Sequence, residues 1–337
     1  MATEPAAAAR RVIDIITGTW QAQALYAAVA ISLPDHIAAG HTGTAELADR
    51  SGTDRDALTR LLRLLTAMGV CTGSEEAGYG LTEVGELLRG EHPHAMGDMV
   101  RLYGEEFHRA WGSVADVVRT GGSGFEHAHG RSLHEHLRDV PGAGAKFQRA
   151  MNAGNVFFPG VLDAFDFGRC RRVVDVAGGS GMLLSVVLQA HPQLHGTLFE
   201  RPFMVPVARE YLDKTVGDDG RYETVGGDLF ERVPQGADAY LLSRVLQDWD
   251  DERCVRLLAN IRAALPPEGR LLILERVIDT SGATILPLLW DLHLLMAAGG
   301  RERTLDGYRS VLTAAGLRLE SVHSLALETS LLIAARA

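Results

Sequence analysis

The residues best suited to chemistry lie between Val173 and Leu183, where the chain reads VVDVAGGSGML. A β-branched run carrying Asp175 gives way to Gly178-Gly179-Ser180-Gly181, and an apolar helical pattern follows through Leu184, Val187 and Leu188. Strand, glycine turn and helix in that order bring backbone N–H groups close to a nucleotide-like ligand, because only glycine lets another atom approach the chain so nearly. A second apolar run, Gly196-Thr197-Leu198-Phe199, ends in Glu200. An acid at the tip of the second strand is where such folds hold two ribose hydroxyls. The plainer alternative is a structural strand–helix turn with a surface glutamate; the matched acid favours the ligand.

The elements that must position these groups alternate from Arg172 onward. Strands are expected at Gly196–Phe199, Tyr222–Val225, Ala239–Leu242 and Arg270–Val277, the last almost wholly apolar and so a buried parallel strand. Helices are expected at Asp250–Leu265, Leu286–Ala298 and Thr304–Ala315, and two closing strands, Arg318–Ser324 and Thr329–Ala335, read as an antiparallel pair. The fold class is α/β, a Rossmann-like doubly wound sheet with antiparallel C-terminal strands.

The front half is helical. One helix is expected from Ala9 to about Ala39, apolar on more than one face and therefore buried in a core or against another subunit. A short helix at Thr44–Ala48, a longer one carrying Leu58, Leu61, Leu62, Leu65 and Met68, and a hairpin around Thr72–Gly78 make a winged-helix pattern. Such a module can read DNA, but its second helix offers only Arg55, Arg60 and Arg63. With a formal net charge of −10, dimerisation is the better reading. A long helical region is expected over Ala95–Val118 and a helix over roughly Ala143–Phe158, the latter placing Phe147 and Met151 on one face. The division expected is a dimerisation domain over 1–95 and a catalytic domain over 96–337, with 96–170 as helical linker.

At 337 residues, 46% hydrophobic and 23% charged, the chain has the apolar mass of a two-domain globular protein. The run Trp20–Leu33 is too short to span a membrane and lacks a cleavage pattern. Three scattered cysteines suit a reducing cytoplasm and offer no metal site.

The segments VVDVAGGSG, GGDLFERVPQGADAYLLSRVLQDWDDE, GRLLILERV and DLHLLMAAGGRERT, with FQRAM upstream, stand in order across nearly the whole chain. In this the sequence resembles the S-adenosyl-L-methionine (SAM)-dependent small-molecule O-methyltransferases of the plant type, in their bacterial natural-product branch. The resemblance implies a homodimer in which the helical domains interlock. It implies that Asp175, Gly178, Gly181, Glu200, Asp228, Leu229 and Ser243 hold SAM, with Phe147, Met151 and Asn155 at its reactive end. Ala177 replaces a glycine of the family's turn, which implies a negative φ there, one that alanine tolerates.

The resemblance breaks at Gln247, where the family usually has a histidine that takes the proton from the substrate hydroxyl. A glutamine amide cannot hold a proton near neutral pH. Glu275 and Glu302 match the two carboxylates that flank that histidine; alone, they would read as ordinary acids. His293 is the best substitute base by chemistry, though a lone histidine on an apolar helix face is more often a core residue. Trp111, Phe125, Trp290 and Leu294 are candidate walls of the substrate pocket. The expected activity is methylation of a hydroxyl on an aromatic or polyketide-like natural product. The alternatives are N-methylation, a SAM-binding enzyme that transfers no methyl group, and a winged-helix regulator.

Overall fold

In the computed structural model, which describes residues 4–218, 220–281 and 284–337, the chain divides into two compact units. The first comprises Met1–Arg109 and Val140–Gly154, the second Ala110–Asp139 and Asn155–Ala337, so the stretch 96–170 is shared between them.

In the first unit, Leu58, Leu62 and Leu65 fall on one face of the helix Arg55–Ala67 and close a core with Leu33, Leu47, Val70 and Tyr79. Asp54 caps that helix, its carboxylate accepting the Ala57 N–H at 2.9 Å. Strands β1 (Cys71–Ser74) and β2 (Gly78–Leu81) form the expected hairpin. The single helix expected from Ala9 to Ala39 is two, Glu4–Ala30 and Leu33–Ala38. Ser32 between them takes φ 53°, and Pro34 lies in the first turn of the second, where its missing N–H costs nothing. Val12, Ile13, Ile15, Ile16 and Trp20 of the first helix are exposed.

The helical region expected over Ala95–Val118 consists of three short helices, Gly97–Gly104, Glu106–Trp111 and Val114–Thr120. A Cβ at Gly104 would lie 2.4 Å from the Tyr26 ring, so this close packing demands glycine although glycine weakens a helix. The helix expected to reach Phe158 ends at Ala153, with Gly154 at its cap.

The second unit is built on one sheet. Its strands are β3 (Arg172–Val176), β4 (His195–Glu200), β5 (Tyr222–Gly226), β6 (Ala239–Ser243), β7 (Arg270–Ile278), the two-residue β8 (Arg303–Thr304), β9 (Leu317–Ser324) and β10 (Thr329–Arg336). Their spatial order is β5-β4-β3-β6-β7-β10-β9, with β8 beside β7. From β5 to β7 the strands are parallel, and β10 enters antiparallel between β7 and β9. Alternate residues feed two cores: Val174, Val176, Tyr240, Leu242 and Ile273 on one face, Val173, Leu241, Leu272, Leu274 and Leu331 on the other. The chain runs outward from β3 to β5, then restarts at β6 on the other side of β3. That reversal opens a crevice at the carboxyl ends of β3 and β6, where doubly wound sheets bind ligands. Among the described residues, no helix is long and apolar enough to cross a membrane.

Candidate active site

The carboxyl end of β3 carries the glycine turn. Gly181, at φ 85°, begins the helix Met182–Ala190. A Cβ at Gly178 would lie 2.5 Å from Leu198 Cδ1 and 2.6 Å from the Asp175 carboxyl carbon, so no side chain fits there. Asp175 itself is 1% exposed and no donor meets its oxygens at hydrogen-bonding geometry. Burial pushes its carboxyl up to about 8, against the pull of the Leu184 N–H, and the charge of Glu200 adds to the rise.

Ala177 corrects the sequence reading. Its φ is +55°, not negative, and its N–H is held by the Phe199 carbonyl at 2.8 Å. A left-handed alanine costs about 1–2 kcal/mol. Ala177→Gly removes that strain but adds about 0.5–1 kcal/mol of unfolded-chain entropy. The expected result is a small net gain, a rise in melting temperature of about 1–3 °C. Calorimetric melting checks it; a fall would mean that the turn carries no strain at this residue.

Glu200 ends β4 and reaches back to the turn. Its carboxylate accepts the N–H of Gly179 at 3.0 Å and that of Arg201 at 2.7 Å. Burial raises its pKa, and the two N–H groups partly offset this. Beyond β5, the Asp228 carboxylate accepts the Phe230 N–H at 2.8 Å, and Leu229 packs on the core. At the end of β6 the Ser243 hydroxyl is buried with no hydrogen-bond partner. The next residue, Arg244, has φ 53° and donates from Nη2 to Asn155 Oδ1 at 2.5 Å. The Asn155 amide also lies 4.0 Å from Met182 Sδ. Sequence reading missed Arg244, although a cation placed directly after an apolar parallel strand could have marked it. Phe147 and Met151 lie on the helix Ala143–Ala153 of the first unit.

The turn Leu246–Asp248 follows β6 and bears Gln247. Glu275, fully buried on β7, accepts the Leu246 N–H at 2.8 Å. The loop after the helix Leu286–Ala298 wraps the same turn: the Arg301 N–H reaches the Gln247 carbonyl at 2.8 Å. Gly300 passes so close that a Cβ would sit 2.4 Å from that oxygen. Arg303, 5% exposed, donates from Nη1 to the Leu246 carbonyl at 2.8 Å and from Nη2 to the Trp249 carbonyl at 2.7 Å. It also pairs with Asp251 at 2.7 Å. In the fold Arg303 is the clamp that shapes the turn.

Glu302 is 4% exposed, 4.0 Å from Arg276 Nη1, and both its oxygens lack a hydrogen bond. Burial raises it to about 8, with Arg276 opposing. Glu275 lies well above the ordinary carboxylate range, through burial first and the charges of Glu302 and Asp248 second. Asp248 differs from both: its side chain keeps solvent exposure, yet the protein packed around it desolvates the carboxyl and raises it to about 6, opposed by Arg244 and then by a hydrogen bond from the Gln247 side chain.

His293 is not placed to act as the base. The Trp111 indole N–H can only donate, and it donates to His293 Nδ1 at 3.2 Å. That fixes the neutral ring's proton on Nε2, and burial holds the pKa down at about 4. Trp290 meets the same ring edge-on, with centroids 5.3 Å apart. Leu294, on the same helix, is nearly buried. Phe125 is fully buried under His129, with centroids 4.2 Å apart, so it is a core residue rather than an open wall.

Comparison with known proteins gives a consistent result. The family model described as the O-methyltransferase domain matches residues 111–318, and that of the O-methyltransferase dimerisation domain matches residues 13–90. The chain is 44% identical to the 3-amino-4-hydroxybenzoate 4-O-methyltransferase of Streptomyces cremeus, over 98% of this chain and 91% of that one. It is 39% identical to the phenazine-1-carboxylate N-methyltransferase of Pseudomonas aeruginosa, over 98% of both. Among solved structures it superposes on CalO1, a methyltransferase in calicheamicin biosynthesis in its SAH-bound form. The TM-score is 0.88 and the identity 31%, over the full length of both chains.

Proposed function

We propose, on the premise that this chain belongs to the O-methyltransferase family and is a SAM-dependent homodimeric enzyme, that its acceptor is a ring hydroxyl of a small aromatic or polyketide-like natural product. The relative that methylates the 4-hydroxyl of an aminohydroxybenzoate supports an aromatic acceptor. The cytoplasm is the proposed compartment, supported by three free, buried thiols that a reducing environment maintains.

The observation that carries the cofactor side is the cradle around Gly178. Asp175 and Ser243 hold buried oxygens that lack donors, and Glu200 is already fixed against the glycine turn. SAM brings an ammonium group and two ribose hydroxyls, all donors, and so suits these acceptors. In this reading Asp175, Gly178 and Gly181 shape the turn and Glu200 takes the ribose. Asp228 and Leu229 flank the nucleoside, and Ser243 and Asn155 line the methionine part. When bound, SAM supplies a methyl group activated by a positive sulfur. The chain's own residues hold the acceptor in line, which is worth up to about 7–11 kcal/mol of the barrier. Gln247 and the two buried carboxylates, Glu275 and Glu302, set the polarity at the acceptor. Trp111, Trp290 and Leu294 are proposed pocket residues.

Glu200→Ala is the direct test. Charge-assisted bonds to the ribose are worth about 2–3 kcal/mol in all, so SAM affinity measured by calorimetry should fall about 30- to 150-fold. Unchanged affinity would remove Glu200 from the site.

A further inference from the structure

We infer that Asp248 takes over from the absent histidine as the proton acceptor for the acceptor hydroxyl, with Gln247 as the residue that aims it. The assignment rests on the methyl-transfer reading above and on which groups around the turn are free to act.

Seven groups on the elements that form or wrap this turn could in principle take a proton, and six are occupied or shut in. Asp250 accepts the Arg253 N–H at 2.8 Å and Asp251 pairs with Arg303 at 2.7 Å. Glu275 has no exposure and spends one oxygen on the Leu246 N–H. Glu302 is sealed from solvent beside Arg276. Burial raises both carboxyls, Glu302 to about 8. Asp291 accepts the Glu302 N–H at 2.8 Å, and His293 has committed its Nδ1 lone pair to Trp111. Among the described residues, Asp248 alone of the seven is exposed and holds neither a backbone hydrogen bond nor an ion pair.

Its surroundings match the task. It closes the turn that Arg303 clamps and Glu275 anchors, so its backbone is fixed. The Gln247 side chain hydrogen-bonds its carboxylate, which steadies the ionised form, and the Arg244 guanidinium acts in the same direction. Glu275 on β7 and Glu302 in the following loop face it as like charges whenever they ionise. Desolvation by the protein packed around Asp248 outweighs Arg244 and Gln247 and leaves its carboxyl raised to about 6, close to where imidazole titrates. Glutamine at 247 thus exchanges roles with its neighbour: it orients through its amide and the aspartate accepts. In the step, the hydroxyl proton passes to an Asp248 Oδ and the oxygen's electron pair forms the bond to the methyl carbon. The pair of the broken carbon–sulfur bond stays on sulfur, and Asp248 then releases its proton to water.

The test uses the full chain in two arms. In the first, SAH-bound protein carrying carboxyl-13C aspartate is titrated by NMR, the Asp248 signal being assigned by its loss in Asp248→Asn. A midpoint near 6 that moves in Gln247→His is expected; a midpoint below about 4 overturns the assignment. In the second, 3-amino-4-hydroxybenzoate serves as probe acceptor and SAH release is followed from pH 5 to 9. Asp248→Asn should lower kcat about 10²- to 10⁴-fold, with KM and SAM affinity within about threefold of wild type. It should also abolish the fall in kcat below pH 6, and Gln247→His in that background should restore at least about tenfold. An Asp248→Asn enzyme with kcat within about fivefold of wild type and the same pH profile overturns the inference. If wild type leaves the probe unmethylated, the acceptor reading is what fails, and the titration alone decides the role of Asp248.

Discussion

Replacing Arg303 with methionine is expected to lower the unfolding free energy by about 2–5 kcal/mol and to remove methyl transfer with it. The guanidinium is buried and satisfies the carbonyls of Leu246 and Trp249, which bracket Gln247 and Asp248. Methionine fills similar space but offers no donor, so the Leu246 carbonyl keeps only the Trp249 N–H at 3.3 Å and the Cys254 thiol, and the Trp249 carbonyl only that weak thiol donor. Each lost charge-assisted bond costs about 1–2.5 kcal/mol. Asp251, the third partner, is mostly exposed and returns to water at little cost. Arg303→Lys keeps the charge but not the fork, and should recover only part of the loss. Urea unfolding reads the first effect and SAH release the second. A change below about 1 kcal/mol would show that the turn holds its shape without the clamp.

The second large effect is expected at Gly178. Alanine there would place its Cβ 2.5 Å from Leu198 Cδ1 and 2.6 Å from the Asp175 carboxyl carbon. Neither neighbour can retreat, because Leu198 is fully buried in the core and Asp175 is 1% exposed. The turn must therefore shift, costing about 1–3 kcal/mol of stability, and its N–H groups leave the positions that Glu200 now secures. SAM affinity should drop at least about 100-fold, at the upper end of the effect of Glu200→Ala or beyond it, because the cradle itself is lost. Calorimetry on the folded variant measures it. Affinity within tenfold of wild type would mean that the cofactor lies away from this turn.

Much of this was legible in the chain. β3, β4, β6 and β7 stand out because parallel strands buried on both faces read as unbroken apolar runs bounded by glycine and charge. The glycine turn and Glu200 stand out because close backbone approach restricts residue type. What periodicity cannot show is contact at a distance. Arg303 bonds to a carbonyl 57 residues away, and Gly104 is dictated by a ring 78 residues before it; neither leaves a local pattern. Ala177 misleads for a related reason. Alanine usually signals ordinary backbone, and only the pull of the Phe199 carbonyl reveals the left-handed bend. The tautomer of His293 depends on Trp111, a partner that no spacing rule connects to it.

The stripe Val12, Ile13, Ile15, Ile16 and Trp20 has a consequence outside the active site. A solitary protomer leaves that oily ridge wet, and four of its five residues fall within the matched dimerisation domain, residues 13–90. Folding and pairing are therefore linked by mass action, so heat resistance should climb as the protein is concentrated and ebb on dilution.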